Sequence, residues 1–171
     1  ELFEFMGTEM AANNVECLLG PGMNIHRFVL NGRNFEYFSE DPYLTGKMAA
    51  AELKGMHKMG VTGTIKHFCG NNQETKRHET DSVISERALR EIYLKGFETA
   101  VKEGGATSIM TTYGSVNGLW TAGSYDLVTT ILRNEWGFKG IVMTDWWANI
   151  NERNCAPDKS NFAAMIRAQN D

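Results

Sequence analysis

The stretch Gly140-Ile141-Val142-Met143-Thr144-Asp145-Trp146 is an apolar run that begins at a glycine and is too short to form a helix. Such a run predicts a β-strand, and this one ends in a carboxylate followed by an aromatic residue. Three further runs of the same kind occur earlier in the chain, each bounded by glycine or polar residues. The sequence therefore predicts four strands, at residues 15–19, 64–68, 108–113 and 140–146.

Helical patterns alternate with these strands. Apolar residues recur at helical spacing over residues 85–103 and 124–136, and less regular patterns cover residues 2–13, 44–59 and 161–170. A leading helix followed by about four strand–helix units predicts an α/β fold with a parallel sheet. The links that follow the strands are longer than those that precede them. In such folds the loops at the carboxyl ends of the strands build the active site, so the spare length lies where a site is expected.

The composition limits the classes of function. The 171 residues are 42% hydrophobic and 22% charged, with a net charge of −4, which excludes an intrinsically disordered chain. The chain has no basic excess, which argues against binding to nucleic acid, and its longest uncharged stretch is too polar to span a membrane. Three widely spaced cysteines predict no disulfide framework and favour a reducing, cytoplasmic compartment.

Two cofactor patterns are incomplete. Gly20-Pro21-Gly22 follows the first strand, but Ile25 stands where a dinucleotide-binding fingerprint needs its third glycine, and no helix begins there. His67 and Cys69 are possible metal ligands, yet no further cysteine or histidine at suitable spacing completes a site. The sequence therefore predicts neither a cofactor nor a bound metal.

Charged residues at strand ends are the main functional signal. Lys66 and Asp145 end the second and fourth strands, where a charge is costly unless it faces a polar cavity. Because these ends share one edge of a parallel sheet, we expect the two side chains to converge on one pocket. A carboxylate together with several hydrogen-bond donors and aromatic rings suits a sugar. Further candidates in or beside the same loops are Arg33, His67, Arg77, Tyr113 and Trp146.

Each candidate also has a structural interpretation. Arg33 could pair with Glu36 or Glu40 and fix its own loop. Arg77 lies in the charge-dense stretch 74–79, which is typical of a solvated surface. Large aromatic residues such as Trp146 commonly fill a core, Asp145 could cap a helix, and Lys66 with His67 could form a satisfied core pair.

Eight motifs occur in order within residues 7–148: LGPGMNI (19–25), GRNFE (32–36), SEDP (39–42), KHF (66–68), MTTY (110–113), VNG (116–118), LRNEWGF (132–138) and VMTDW (142–146). Together they resemble glycoside hydrolase family 3, the β-glucosidase family. The resemblance implies a (β/α) TIM-type barrel catalytic domain, of which residues 1–171 form a segment truncated at both ends, since four strand–helix units are half of a barrel. It also implies hydrolysis of β-linked sugars with retention, through a glycosyl-enzyme intermediate.

The resemblance further implies roles for individual residues. Asp145 would be the nucleophile, with Tyr113 beside it and Trp146 lining the sugar pocket. The residues expected to hold hydroxyls of the sugar are Arg33, Lys66, His67 and Arg77. The family takes its general acid/base from a further domain, so we expect the partners of this segment to be the remaining parts of the same enzyme and a β-glucoside or short β-linked oligosaccharide.

Alternatives to a β-glucosidase remain open. A β-xylosidase of the same family would use the same residues. An aldolase or isomerase barrel would use Lys66 as a Schiff-base amine. A sugar-binding module would bind glucose without turnover. The branch that cleaves N-acetylglucosaminides fits less well, because the loop at residues 71–75 lacks the Asp-Ser-His element of that branch.

Overall fold

The computed structural model describes residues 1–171, in which helices cover an open parallel sheet. The helices are α1 Leu2–Ala12, α2 Pro42–Lys58, α3 Glu86–Ala88, α4 Lys95–Lys102 and α5 Phe162–Arg167, together with the π-helical segments Leu89–Tyr93 and Asp126–Glu135 and the 3-10 turns Asn34–Glu36 and Thr121–Gly123. The strands are β1 Cys17–Leu18, β2 Thr62–Phe68, β3 Asp81–Ser82, β4 Ser108–Thr111, β5 Ser115–Val116, β6 Leu119–Trp120 and β7 Ile141–Thr144.

The main sheet has the order β1-β2-β4-β7, and all its pairings are parallel. Thr64 lies opposite Ser108, and Ser108 lies opposite Ile141, so the last three strands end at the same edge. The register shifts between Lys66 and Phe68, which leaves His67 as an extra residue in β2. The predicted α/β fold with a parallel sheet is confirmed. Both outer strands have one neighbour only, so the sheet is open.

The core lies between this sheet and the helices that follow its strands. Asp41 caps α2 by accepting a hydrogen bond from the Tyr43 amide at 2.8 Å, and Pro42 occupies the first turn, where its missing N–H costs nothing. The α2 helix then packs against α1 and α4. Their apolar faces and the sheet residues lose almost all contact with solvent, as in Leu53, Met56, Ile65, Phe97, Ile109, Leu132 and Val142.

Several predicted boundaries were wrong. The helix predicted at 124–136 exists but winds with wider turns, since the Trp136 amide bonds to the Ile131 carbonyl at 3.1 Å; the 85–103 helix contains a similar turn. The helix predicted at 161–170 is Phe162–Arg167, and Gln169 beyond it has a φ of +62°. The first strand is shorter than 15–19, because only Cys17 and Leu18 pair with β2.

A second, small sheet was not predicted. It has the order β3-β5-β6 and joins the loop after β2 to the loop after β4. Asp81 reinforces it by accepting hydrogen bonds from the Ser115 hydroxyl at 2.7 Å and the Gly118 amide at 2.8 Å. Strands of two residues, several of them polar, carry no apolar alternation, so sequence periodicity could not reveal them.

The remaining expectations concern membranes, cysteines and metals. None of the helices has both the length and the apolar character that crossing a membrane requires. Cys17, Cys69 and Cys155 are all free thiols. No group of three or more histidine, cysteine or acidic side chains is arranged to hold a metal ion.

Candidate active site

Three strand ends bring candidate residues to one edge of the main sheet. Lys66 and His67 lie near the end of β2, Tyr113 follows β4, and Asp145 directly follows β7. The amide of Asp145 still bonds to the Thr111 carbonyl at 3.1 Å, so the sheet ladder itself positions this carboxylate. The structure therefore places Lys66 and Asp145 at one edge of the sheet, as predicted.

Asp145 is 7% exposed and is surrounded by hydrogen-bond donors. Its Oδ1 accepts a bond from the Trp146 amide at 3.0 Å, and its Oδ2 lies 3.6 Å from His67 Nε2. Burial raises the pKa of this carboxyl above its usual value, while the Tyr113 hydroxyl beside it, the Trp146 amide and two arginines act in the opposite direction. Asp145 is thus a poorly solvated carboxylate whose charge is stabilised by fixed donors rather than by water.

His67 is buried and rigidly held. Asn24 clamps its backbone from both sides, donating to the carbonyl and accepting from the amide, each at 2.8 Å. On the ring, Nδ1 lies 3.1 Å from the Tyr37 hydroxyl. Burial lowers the pKa of His67 to about 2, and the neighbouring cationic side chains act in the same direction. His67 and Asp145 are therefore a neutral imidazole facing a carboxylate, not an ion pair.

Arg33 and Lys66 share one carboxylate, Glu36. Arg33 Nε lies 2.5 Å from Glu36 Oε1, and Lys66 Nζ lies 3.3 Å from Glu36 Oε2. Burial by itself would raise the pKa of Glu36, but the two cations outweigh it and the pKa is lowered. Arg33 thus makes the pair with Glu36 that its structural interpretation predicts. The pair also holds the guanidinium beside the other candidate residues.

Arg77 belongs to the same cluster and not to a solvated surface. Its guanidinium lies 4.5 Å above the ring of Tyr113, and its Nη1 donates to Glu74 Oε2 at 2.9 Å. The imidazole of His78 also packs against Tyr113, with ring centroids 4.1 Å apart. Burial raises the pKa of Tyr113, and the adjacent Asp145 charge adds to the rise, so the phenol remains a neutral donor.

Trp146 is not a core residue, because 53% of its surface is exposed. It directly follows Asp145, and the next residue, Trp147, is 78% exposed with a φ of +61°. Two indole rings therefore stand in solvent beside the carboxylate. This arrangement is compatible with a sugar-lining role and excludes the core-filling interpretation.

Five residues of the cluster were missed or undervalued in the sequence. The Tyr37 hydroxyl lies within hydrogen-bond distance of His67 Nδ1. Asn71 Nδ2 donates to both the Tyr37 hydroxyl and Glu74 Oε1, each at 2.9 Å. Tyr37 directly follows the GRNFE motif, and Asn71 lies soon after the KHF motif, so their proximity to motifs was the available signal. The complete set is Asn24, Glu36, Tyr37, Asn71 and Glu74.

Comparisons with known proteins show the family and agree with the fold. The sequence profile of the glycosyl hydrolase family 3 N-terminal domain matches residues 1–165. The chain belongs to glycosyl hydrolase family 3. Within the family it is 76% identical to a β-glucosidase of Ruminococcus albus over 171 residues, which is all of this chain and 18% of that protein.

Solved structures give the same result. A β-glucosidase from Paenibacillus barengoltzii superposes with a TM-score of 0.97 at 63% identity, covering 99% of this chain and 19% of that one. β-Glucosidase 3B from Thermotoga neapolitana in complex with α-D-glucose superposes with a TM-score of 0.91 at 46% identity, covering 99% of this chain and 22% of that one. The α/β fold described above is thus part of the TIM-like barrel of family 3 enzymes, and the chain spans about a fifth of the length of these relatives.

Proposed function

We propose that the full-length polypeptide hydrolyses β-glucosidic bonds with retention, and that Asp145 is the nucleophile. The observation that carries the proposal is the position of Asp145 at the end of β7, almost fully buried and ringed by donors. Membership of family 3, with relatives named β-glucosidases, supports the substrate class. A retaining glycosidase needs a carboxylate of this kind to attack the anomeric carbon.

The proposed first step forms a covalent bond between an Asp145 oxygen and the anomeric carbon, while the bond to the leaving-group oxygen breaks and that oxygen takes a proton from a general acid. In the second step, water attacks the anomeric carbon and releases Asp145, after giving its proton to the same acid/base group. The Trp146 amide donates to Oδ1, so the oxygen nearer to His67, Oδ2, is the one not held by the backbone. We therefore assign the attack to Oδ2.

We assign the binding of sugar hydroxyls to the cationic side chains and to His67. Arg33, Lys66 and Arg77 each reach the cluster while paired with Glu36 or Glu74, which limits their rotamers before any sugar binds. Donors that are already oriented lose less conformational entropy on binding. The exposed indole of Trp146 would cover an apolar face of the sugar.

The general acid is proposed to come from a part of the enzyme outside residues 1–171. Glu36 and Glu74 are the other carboxylates of the cluster, and both face arginine or lysine. The lowered pKa of Glu36 makes it a poor proton donor. Glu79 is largely exposed and faces Lys76 at 3.9 Å.

The alternative chemistry of a Schiff-base lysine is disfavoured by the surroundings of Lys66. Such lysines are activated by an apolar pocket or by a neighbouring cation. Beside Lys66, the Glu36 carboxylate at 3.3 Å from Nζ offsets the charge of the neighbouring Arg33. A β-xylosidase would share every contact described above, so assays on matched aryl glucosides and xylosides decide between these two substrates.

The test is the activity of the full-length enzyme with Asp145→Asn, compared with Asp126→Asn as a matched control on an exposed carboxylate. We expect Asp145→Asn to abolish nearly all turnover and the control to retain it, and proton NMR of the first product to show the β-anomer. Full activity of Asp145→Asn, or an α-anomer as the first product, would contradict the proposal.

A further inference from the structure

We propose that Tyr37 and Asn71 are positioning residues that fix the tautomer of His67, so that the imidazole carries its proton on Nε2. Only the role of the Nε2 proton, which is donation toward a sugar hydroxyl and Asp145, rests on the proposed glycosidase function. The tautomer itself follows from a chain of hydrogen bonds with one consistent direction.

The chain of hydrogen bonds begins at Glu74. A carboxylate offers only acceptors, and this one receives Arg77 Nη1 and Asn71 Nδ2, both at 2.9 Å. If the Asn71 amide were reversed, its oxygen would face the carboxylate and the two acceptors would repel each other. Glu74 therefore fixes the Asn71 amide with its NH₂ group toward the cluster.

The direction passes next through Tyr37. The same Asn71 NH₂ group donates its second hydrogen to the Tyr37 hydroxyl oxygen at 2.9 Å. That hydroxyl has one proton of its own, and its other polar neighbour is His67 Nδ1 at 3.1 Å. If Nδ1 donated instead, the Tyr37 hydroxyl would accept two hydrogen bonds and its own proton would have no partner in this buried site, so Tyr37 donates to Nδ1. A nitrogen that accepts carries no proton, so a neutral His67 carries its proton on Nε2.

Water has little access to this chain of bonds. Tyr37, His67 and Asn71 are 5%, 2% and 6% exposed, and Asn24 holds the His67 backbone on both sides. Burial also lowers the pKa of His67 far below neutrality, which removes the doubly protonated form from consideration. In a dry site, a polar atom without a partner is expensive, so the fully satisfied tautomer is strongly favoured.

The consequence lies at the other end of the ring. Nε2 is 3.6 Å from Asp145 Oδ2, so the fixed tautomer presents an N–H to the nucleophile and to any hydroxyl bound between them. The opposite tautomer would present a lone pair to a carboxylate and offer no donor. Tyr37 and Asn71 thus act through His67 without touching the substrate.

The most direct test is solid-state NMR of the full-length protein with ¹⁵N-labelled histidine and no substrate, in which His67→Gln identifies the His67 signals. We expect an unprotonated Nδ1 and a protonated Nε2 in the unmodified protein. A proton on Nδ1, or on both nitrogens, would overturn the inference, and this measurement depends on no variant at Tyr37 or Asn71.

Two variants test the cause. Asn71→Asp places an acceptor beside the Tyr37 hydroxyl, so the direction of donation reverses and the His67 proton should move to Nδ1. Tyr37→Phe should give a mixture of tautomers and lower kcat/KM roughly tenfold, the loss expected for one productive hydrogen bond in a buried site. Tyr43→Phe, which removes an exposed hydroxyl at the start of α2, is the matched control and should change neither quantity.

The outcomes separate this inference from the proposed function. His67 nitrogen shifts that stay unchanged in both Asn71→Asp and Tyr37→Phe would show that these residues do not set the tautomer. The expected tautomer in a full-length protein without glycosidase turnover would contradict the proposed function and leave the tautomer assignment standing.

Discussion

Replacing Glu36 by glutamine tests how much the shared carboxylate stabilises the candidate site. The side chains of Glu36, Arg33 and Lys66 are 23%, 21% and 12% exposed, so the cluster lies between a surface ion pair and a buried one. Gross attraction at these distances is about 5–7 kcal/mol per pair at an effective dielectric constant of 20, and desolvation offsets much of it. Surface pairs contribute about 0.2–1 kcal/mol, and breaking buried pairs costs about 3–5 kcal/mol.

The expected loss is therefore intermediate, about 2–3 kcal/mol in the free energy of unfolding. For the barrel domain of the full-length enzyme this corresponds to a fall of about 4–12 °C in the melting temperature, measured by differential scanning calorimetry at pH 7. Glu103→Gln is the matched control, because the Lys47–Glu103 pair is exposed and its loss should lower the free energy of unfolding much less than Glu36→Gln does.

The pH dependence gives the sign of the effect. Because the folded-state pKa of Glu36 is lowered, its stabilisation is complete above the unfolded-state value and is lost as the pH falls through the folded-state value. The stability difference between the original protein and Glu36→Gln should shrink toward zero in acid. An equal stability of the two proteins at pH 7, or a difference that grows in acid, would refute this account of the cluster.

Three further predictions concern activity. Burial raises the pKa of Asp145, whose charged form is required, so kcat/KM of the full-length enzyme should fall on acidification at a pH above the pKa of an ordinary aspartate. Tyr113→Phe removes a group that lowers the pKa of Asp145, so the fall should move to higher pH. An unmoved profile would contradict this prediction. Arg77→Ala should raise KM, with a loss of about 1–3 kcal/mol in kcat/KM, whereas an unchanged KM would remove Arg77 from substrate binding. Residues 1–171 alone should not hydrolyse an alkyl β-glucoside, whose leaving group needs a general acid; sustained turnover lost in Glu36→Gln, Glu74→Gln or Glu79→Gln would place the acid within the chain.

The sequence predicted the fold class and the edge of the sheet that carries the candidate site, and the reason is physical. A short apolar run predicts a strand, and the charged residue at its end, Lys66 or Asp145, marks the edge of the sheet where a polar site lies. Helix–strand alternation specifies a parallel sheet, whose carboxyl ends share one edge. These features depend on local sequence, so they could be recognised without coordinates.

Other features depend on contacts between distant segments. The clamp of Asn24 on His67 and the bond from Asn71 to Tyr37 join residues 43 and 34 positions apart, and no local pattern marks them. Adjacent residues of a regular strand point to opposite faces, but the register shift in β2 lets Lys66 and His67 both reach the cluster. The wider turns of Asp126–Glu135 likewise leave the apolar stripe intact and alter only its winding.

The central claim is that Asp145 forms a covalent bond with the sugar, and covalent trapping tests it most directly. The full-length enzyme is inactivated with a 2-deoxy-2-fluoro-β-glucoside carrying an activated leaving group, digested, and analysed by mass spectrometry. We expect one fluoroglucosyl group on the peptide containing Asp145, and no labelling of Asp145→Asn. A label on any other carboxylate, or inactivation of Asp145→Asn at the original rate, would contradict the assignment.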